Sequence, residues 1–124
     1  MNNCDFKKLI VWQKSMNLAS MIYTLVKSLP REETYVLSDQ MRRCAISIPS
    51  NIAEGHGRQT DKEFINFLYI ARGSLRELDT QIDLTIYIGF LYEDTVSEIR
   101  CLINEVSKML DSLIDSVKKR AGHN

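Results

Sequence analysis

Apolar residues recur at intervals of three and four along almost the whole chain, which is the period of an amphipathic α-helix. We predict four helices, at about residues 6–29, 35–56, 61–88 and 94–120. No segment alternates between apolar and polar residues with the period of two that a half-buried strand requires. The links are short, and helices joined by short links pack as antiparallel neighbours. The expected fold class is therefore all-α, an antiparallel up-down-up-down four-helix bundle.

The apolar stripes of the first and fourth helices predict which of their residues lie in the core. In the first helix the predicted stripe is Leu9, Trp12, Met16, Ala19, Tyr23 and Val26, widened by Leu18, Ile22, Leu25 and Leu29. In the fourth helix it is Val96, Ile99, Ile103, Val106, Leu110, Leu113 and Val117. The fourth stripe alternates strictly between steps of three and four, which is typical of a coiled-coil seam.

Breaks between the helices are marked by residues with special backbone chemistry. Pro30 ends the first helix, and Pro49 inside the second predicts a kink or a short break near Ile48, since proline lacks a backbone donor. Thr60 and Glu63 form a capping-box pattern that begins the third helix. These signals divide the chain into four helical segments.

Composition indicates one globular domain over residues 1–124. The chain is 44% apolar and 26% charged, and this balance is unlike that of disordered or fibrous chains. No stretch approaches the roughly 18 uncharged apolar residues of a membrane helix, and the N-terminus lacks the order of a secretory signal. Cys4, Cys44 and Cys101 are far apart with no C-x-x-C spacing, which fits reduced thiols and not a zinc site. We therefore expect a cytoplasmic protein.

Charge is balanced overall but unevenly distributed. The formal net charge is zero, whereas domains that bind nucleic acid through net charge are usually basic. Residues 1–62 carry nine Lys and Arg against six Asp and Glu, and residues 63–124 carry seven against ten. Each half thus has an excess of three charges, of opposite sign.

The residues needed for catalysis or cofactor binding are not assembled in any recognisable motif. The two histidines are His56, in a glycine-flanked turn, and His123, near the end. We interpret His56 as a solvated loop residue, with an anion or RNA contact as the alternative. Neither the Glu-x-x-His pairs of di-iron bundles nor a phosphate-binding glycine loop occurs. We expect no enzyme activity, no cofactor, no metal and no small-molecule substrate.

The polar face of the second helix stands out, because it is built of Ser, Asn, Gln and Arg where a solvated face is more often Lys and Glu. Its residues are Gln40, Arg43, Ser47, Ser50, Asn51 and Glu54, with Arg42 alongside and Arg58 just after. Three interpretations stay open: a subunit or internal polar network, a nucleic-acid contact, and a plain solvated face.

Each interpretation has its own candidate residues. Those for nucleic acid are Arg42, Arg43 and Arg58, and those for the network or interface are Gln40, Ser47, Asn51 and Glu54. On the third helix, Arg72 and Arg76 either add to the basic surface or pair locally with Glu77 and Asp79, and we favour local pairing.

The chain resembles the four-helix-bundle proteins encoded by intervening sequences in bacterial 23S ribosomal RNA genes. The strings that carry the resemblance in its first half are Phe6-Lys7-Lys8-Leu9, Val11-Trp12-Gln13-Lys14, Leu37-Ser38-Asp39-Gln40-Met41-Arg42-Arg43, Ser47-Ile48-Pro49-Ser50-Asn51-Ile52-Ala53-Glu54-Gly55 and Gly57-Arg58. Further strings are Asp61-Lys62-Glu63-Phe64, Phe67-Leu68, Ala71, Gly73-Ser74-Leu75-Arg76-Glu77-Leu78 and Thr80-Gln81. The chain is also similar to accessory variability proteins of diversity-generating retroelements.

The resemblance to the intervening-sequence proteins implies a four-helix bundle assembled as a ring-like homopentamer, with no established enzymatic activity and a suspected link to RNA. The retroelement accessory proteins are bundles that associate with a reverse transcriptase and nucleic acid. Our leading hypothesis is a non-catalytic homo-oligomer whose second-helix arginines gather into a surface for structured RNA. The rival hypothesis is a purely protein-binding scaffold or accessory subunit with no nucleic-acid contact. Arginines exposed together favour RNA, whereas arginines held by carboxylates favour the scaffold.

Overall fold

The computed structural model describes residues 5–122. It contains four α-helices: α1 Ile10–Leu25, α2 Asp39–His56, α3 Asp61–Tyr87 and α4 Ser97–Arg120. No strand occurs in this described part of the chain. The all-helical class and the four helices predicted from apolar periodicity are confirmed.

The first helix is shorter than the predicted span of residues 6–29. Leu9 is extended, with φ −68° and ψ 125°, so the 3₁₀ turn Asp5–Lys8 is separate from α1. At its other end α1 passes into a short 3₁₀ turn, and Leu29 is extended. Leu29 leaves the helical conformation because the ring of Pro30 disfavours it in the preceding residue.

The second and fourth helices begin later than predicted, because each is preceded by a turn of different winding. A π-helical turn, Thr34–Ser38, precedes α2, and a 3₁₀ turn, Glu93–Val96, precedes α4. The α-helix continues through Pro49, so the short break proposed as one outcome does not occur. A kink near Pro49 stays a prediction.

The predicted start of the third helix is confirmed. The backbone amide of Glu63 donates to the Thr60 hydroxyl oxygen at 3.2 Å, and the hydroxyl donates to the Glu63 carboxylate at 3.0 Å. This cap satisfies one of the donors that a helix leaves open at its first turn.

Contacts between neighbouring helices pair rising residue numbers in one helix with falling numbers in the next. Between α2 and α3 the contacting pairs are Met41 with Thr85, Cys44 with Glu77, and Ser47 with Ser74. Between α3 and α4 they are Asp61 with Arg120, Arg72 with Asp111, and Asp79 with Arg100. Helices α2 and α3, and helices α3 and α4, therefore run antiparallel.

One contiguous apolar core fills the centre of the bundle. The stripe predicted for α4 lies in it except for Leu113, which is partly buried and packs against it, but the stripe predicted for α1 is off centre. Leu18 and Ile22 are fully buried, whereas Met16 and Tyr23 are close to half exposed. The wider row of α1 thus faces the core, and the row predicted to be central lies at the edge of the bundle.

Candidate functional site

Arg42 and Arg43, near the start of α2, share one carboxylate. Arg43 Nη2 lies 3.4 Å from Asp39 Oδ2, and Arg42 Nη2 lies 3.8 Å from Oδ1. The Arg42 guanidinium is also 6.0 Å from the centre of the Tyr23 ring on α1. The Arg43 side chain is 72% exposed and that of Arg42 only 27%. Arg43 therefore faces solvent, while Arg42 is partly covered by the first helix.

Arg58 lies at the opposite end of α2, just after its last residue. Its guanidinium Nη2 is 3.0 Å from Glu54 Oε1, and its centre lies 4.8 Å from the centre of the Phe67 ring. Arg58 follows Arg42 by sixteen residues, which is about 24 Å of helical rise. One chain thus does not bring the three predicted arginines together, and each lies beside a carboxylate.

Ser47 and Asn51 form a polar network that joins α2 to α3. The Asn51 amide nitrogen donates to the Ser47 carbonyl oxygen at 2.8 Å and to its hydroxyl at 2.9 Å. The Ser47 hydroxyl lies 2.8 Å from that of Ser74 on α3. Of the other two residues assigned to a network, Glu54 pairs with Arg58 and Gln40 is exposed. Ser47 and Asn51 therefore form an internal network, whereas Gln40 and Glu54 are exposed to solvent.

A buried thiol forms a second polar cluster between α2 and α3. Cys44 donates its S–H to Glu77 Oε2 at 2.8 Å and accepts from the Gln81 amide at 3.4 Å. Burial and, next, the hydrogen bond to Glu77 raise the pKa of Cys44 to about 12. Sequence reasoning missed this cluster, because more than thirty residues separate the partners and only the register of α2 against α3 joins them.

Ion pairs across α3 and α4 correct the local pairing predicted for Arg72. Arg72 Nη1 donates to Asp111 on α4 at 3.0 Å. Asp79 instead accepts from Arg100, whose guanidinium also contacts Asp83 and Glu93. The hydrogen bond that Arg100 donates to Asp83 is the main reason that the pKa of Arg100 is raised. Arg72 and the carboxylates of Asp79 and Asp83 thus connect α3 to α4 across their interface.

An apolar groove runs along the outer face between α1 and α2. Its lining residues are Phe6, Trp12, Met16, Ala19, Ile46, Pro49, Ser50 and Ala53. Its volume is about 380 Å³, and Met16 and Ile46 are each 45% exposed. The Phe6 and Trp12 rings meet edge to face at 5.4 Å between centres. Trp12, Met16 and Ala19, which were predicted to lie in the core, therefore line this exposed groove instead.

The comparison with protein families bears on the whole bundle. The profile of the family described as 23S rRNA-intervening sequence protein matches residues 7–112. The chain belongs to this family. The match includes every helix at least in part, together with all seven residues assigned to the second-helix site.

A solved structure supports the membership of this intervening-sequence protein. It is a crystal structure of a protein with unknown function from the S23 ribosomal protein family of Bacteroides thetaiotaomicron VPI-5482. The two are 32% identical with a TM-score of 0.78, over 85% of this chain and 98% of that chain. No curated protein matches the sequence. The resemblance to the intervening-sequence family is confirmed, and the similarity to retroelement accessory proteins stays a prediction.

The groups considered for catalysis are dispersed in the intervening-sequence protein. His56 is the last residue of α2, half-buried, and its ring meets the edge of Phe64 at 5.6 Å. It therefore packs more than the solvated interpretation expected. His123 and Cys4 lie outside the described residues. Within residues 5–122, no three side chains among His, Cys, Asp and Glu are grouped to hold a metal ion. No helix in that range is long and apolar enough to cross a membrane.

Proposed function

We propose that this intervening-sequence protein is a non-catalytic bundle protein that self-assembles into a homo-oligomer. The observation that carries the proposal is the open apolar groove between α1 and α2. Fully burying a side chain such as Ile or Met contributes about 1.5–3 kcal/mol, so the exposed portions of Met16 and Ile46 represent about 1 kcal/mol each. Residues at such a surface favour burial against another protein surface.

Charge distribution supports a second copy of the chain as the partner. The residues up to 62 have an excess of three positive charges, and those after 62 have an equal negative excess. A contact between the α1–α2 side of one copy and the α3–α4 side of the next is therefore electrostatically favourable. Such a head-to-tail contact generates a ring when its rotation closes. The homopentamer implied by resemblance is one such ring.

Substitution in the groove tests the assembly. Ile46→Glu places a charge on the apolar surface, and we expect it to reduce the molar mass in light scattering from that of an oligomer to that of a monomer. Ile46→Val keeps the surface apolar and serves as the matched control. Circular dichroism shows whether each variant is folded. A folded Ile46→Glu protein with the wild-type oligomeric mass would contradict this role of the groove.

RNA binding is a second proposed function, supported by Arg43 and Arg58. Both guanidinium groups reach solvent, and an oligomer repeats them in every subunit. Repetition raises the effective affinity for a polyanion even when the net charge of one chain is zero. The pairing of these arginines with Asp39 and Glu54 weakens the argument for a single chain. RNA binding through these two arginines thus depends on assembly.

Titration with ribosomal RNA fragments over a salt series tests this second function. We expect wild-type affinity to fall as salt rises, and Arg43→Gln with Arg58→Gln to reduce both the affinity and the salt slope. Arg72→Gln is the control, because Arg72 is held by Asp111 on the α3–α4 side. Assembly without salt-dependent RNA binding would instead support the protein-binding scaffold.

A further inference from the structure

A second groove, at the turn between the first two helices, concentrates positive charge. Its lining residues are Tyr23, Val26, Lys27, Leu29, Arg31, Thr34, Ser38 and Arg42, and its volume is about 470 Å³. Three of these side chains are cationic and none is a carboxylate. The volume lies in the range of ligand pockets, roughly 300–1,000 Å³. We propose that this groove binds the phosphate group of a nucleotide.

The cations of this groove are less neutralised than Arg43 and Arg58, which each lie within 3.4 Å of a carboxylate oxygen. Among the described residues, Lys27 and Arg31 form no salt bridge. Arg42 has only the 3.8 Å contact with Asp39, which it shares with Arg43. A phosphate entering the groove therefore meets three donors with unused charge, and charge-assisted hydrogen bonds are the strong ones.

A hydroxyl adds a neutral donor to the groove. Ser38 lines the groove, and the residue as a whole is 4% exposed. A serine hydroxyl can donate a hydrogen bond to a phosphate oxygen, so Ser38 complements the three cations.

The backbone of the groove adds to its attraction for anions. Thr34 and Ser38 bound the π-helical turn that precedes α2, and π-helical turns occur frequently at functional sites. The residue before this turn provides no side-chain cap. The positive end of this helical run therefore lies at Thr34, which lines the groove with the three cations.

Tyr23 extends the proposed ligand beyond phosphate to a nucleotide. Its ring is 43% exposed and lies in the groove beside Arg42. An aromatic face next to phosphate-binding cations is the combination that stacks a base while its backbone is held. All of these residues belong to one chain, so the site does not rest on self-assembly, and it uses neither Arg43 nor Arg58 of the RNA proposal.

Calorimetric titration of the folded full chain with a nucleoside 5′-monophosphate tests the site. We expect saturable binding that Arg42→Gln weakens about tenfold or more, equivalent to about 1.4 kcal/mol. Arg43→Gln is the matched control, since Arg43 is the next residue, contacts the same Asp39 and lies outside the groove. Ser38→Ala should weaken binding several-fold.

Further ligands identify which part of the nucleotide is bound and its source. Inorganic phosphate should compete but bind less tightly than the nucleotide, and Tyr23→Ala should remove that difference. Competition by a short single-stranded RNA identifies RNA as a source of the ligand, and competition by mononucleotide alone identifies a free nucleotide. Absence of saturable nucleotide binding, or equal weakening by Arg42→Gln and Arg43→Gln, would overturn the proposal, whatever the oligomeric state.

Discussion

At the scale of single residues, Cys44 shows how the α2–α3 interface controls chemistry. Its thiol is buried and donates to the Glu77 carboxylate, so the charged thiolate is unfavourable in the folded protein. The same burial that raises its pKa keeps the thiol from reacting as a nucleophile at neutral pH. Cys44 is therefore a structural residue of the interface.

The raised pKa of Cys44 predicts a loss of stability at alkaline pH. The folded-state pKa is about 12 against an ordinary value of 9.0, so the folded state holds the proton more tightly. Its contribution to stability is complete below pH 9 and is lost as pH rises from 9 to 12. Urea unfolding should show that raising the pH from 8 to 10 destabilises the wild type by about 1 kcal/mol more than Cys44→Ala. An equal effect on both proteins would contradict the assignment.

Two glycines in helices should respond in opposite ways to alanine. A Cβ at Gly55 would lie 2.6 Å from Phe67 Cβ and 3.0 Å from Phe64 Cδ1, so α2 could not approach α3 as closely. We expect Gly55→Ala to destabilise the fold by about 1–3 kcal/mol. A Cβ at Gly73 meets nothing within 4 Å, and Gly73→Ala should stabilise α3 by about 0.5–1 kcal/mol. Unfolding midpoints that shift in the same direction would contradict this account of Gly55.

At the scale of elements, local signals in the sequence predicted where the helices lie along the chain better than they predicted which face of each helix packs in the core. The Thr60 cap depends on neighbouring residues and was predictable, as was the extended backbone of Leu29 before Pro30, although α1 itself ends earlier, at Leu25. The π-helical turn before α2 was not predicted. The residues of α1 that face the core were not predicted correctly either, because α1 has apolar residues on two rows and tertiary packing selects the row of Leu18 and Ile22.

The candidate site was predictable only in part, for the same reason. Arg58 pairs with Glu54 one turn away, as the sequence spacing allows. The contacts of Ser47 with Ser74 and of Arg72 with Asp111 depend on how the helices are set against each other, which one sequence does not specify. These contacts join side chains that are distant in sequence, and the periodicity of the sequence alone could not show them.

The start of α3 provides a test at this scale. Thr60→Ala removes the acceptor of the Glu63 amide, so we expect a loss of about 1 kcal/mol in the free energy of unfolding. Thr80→Ala is the control, because the Thr80 hydroxyl donates to the Arg76 carbonyl within the exposed middle of the same helix. That second change should be neutral or slightly stabilising. Equal losses in chemical denaturation would show that the cap contributes nothing of its own.

At the scale of the whole molecule, the bundle combines a closed core with an open outer face. The core is continuous, and ion pairs such as Arg120 with Asp61 fix α4 against α3. The α1–α2 side instead exposes an apolar groove and, at one end, a cationic one. The two surfaces that we propose for partners thus lie on the first two helices and the turn between them, where the basic excess also lies.

The central claim, self-assembly, is tested most directly by the molar mass of the wild-type protein in sedimentation equilibrium over a concentration series. The chain mass is 14.3 kDa. Our account predicts a mass that is an integral multiple of this value and that persists on dilution to low micromolar protein. A mass of one chain at every concentration would contradict it.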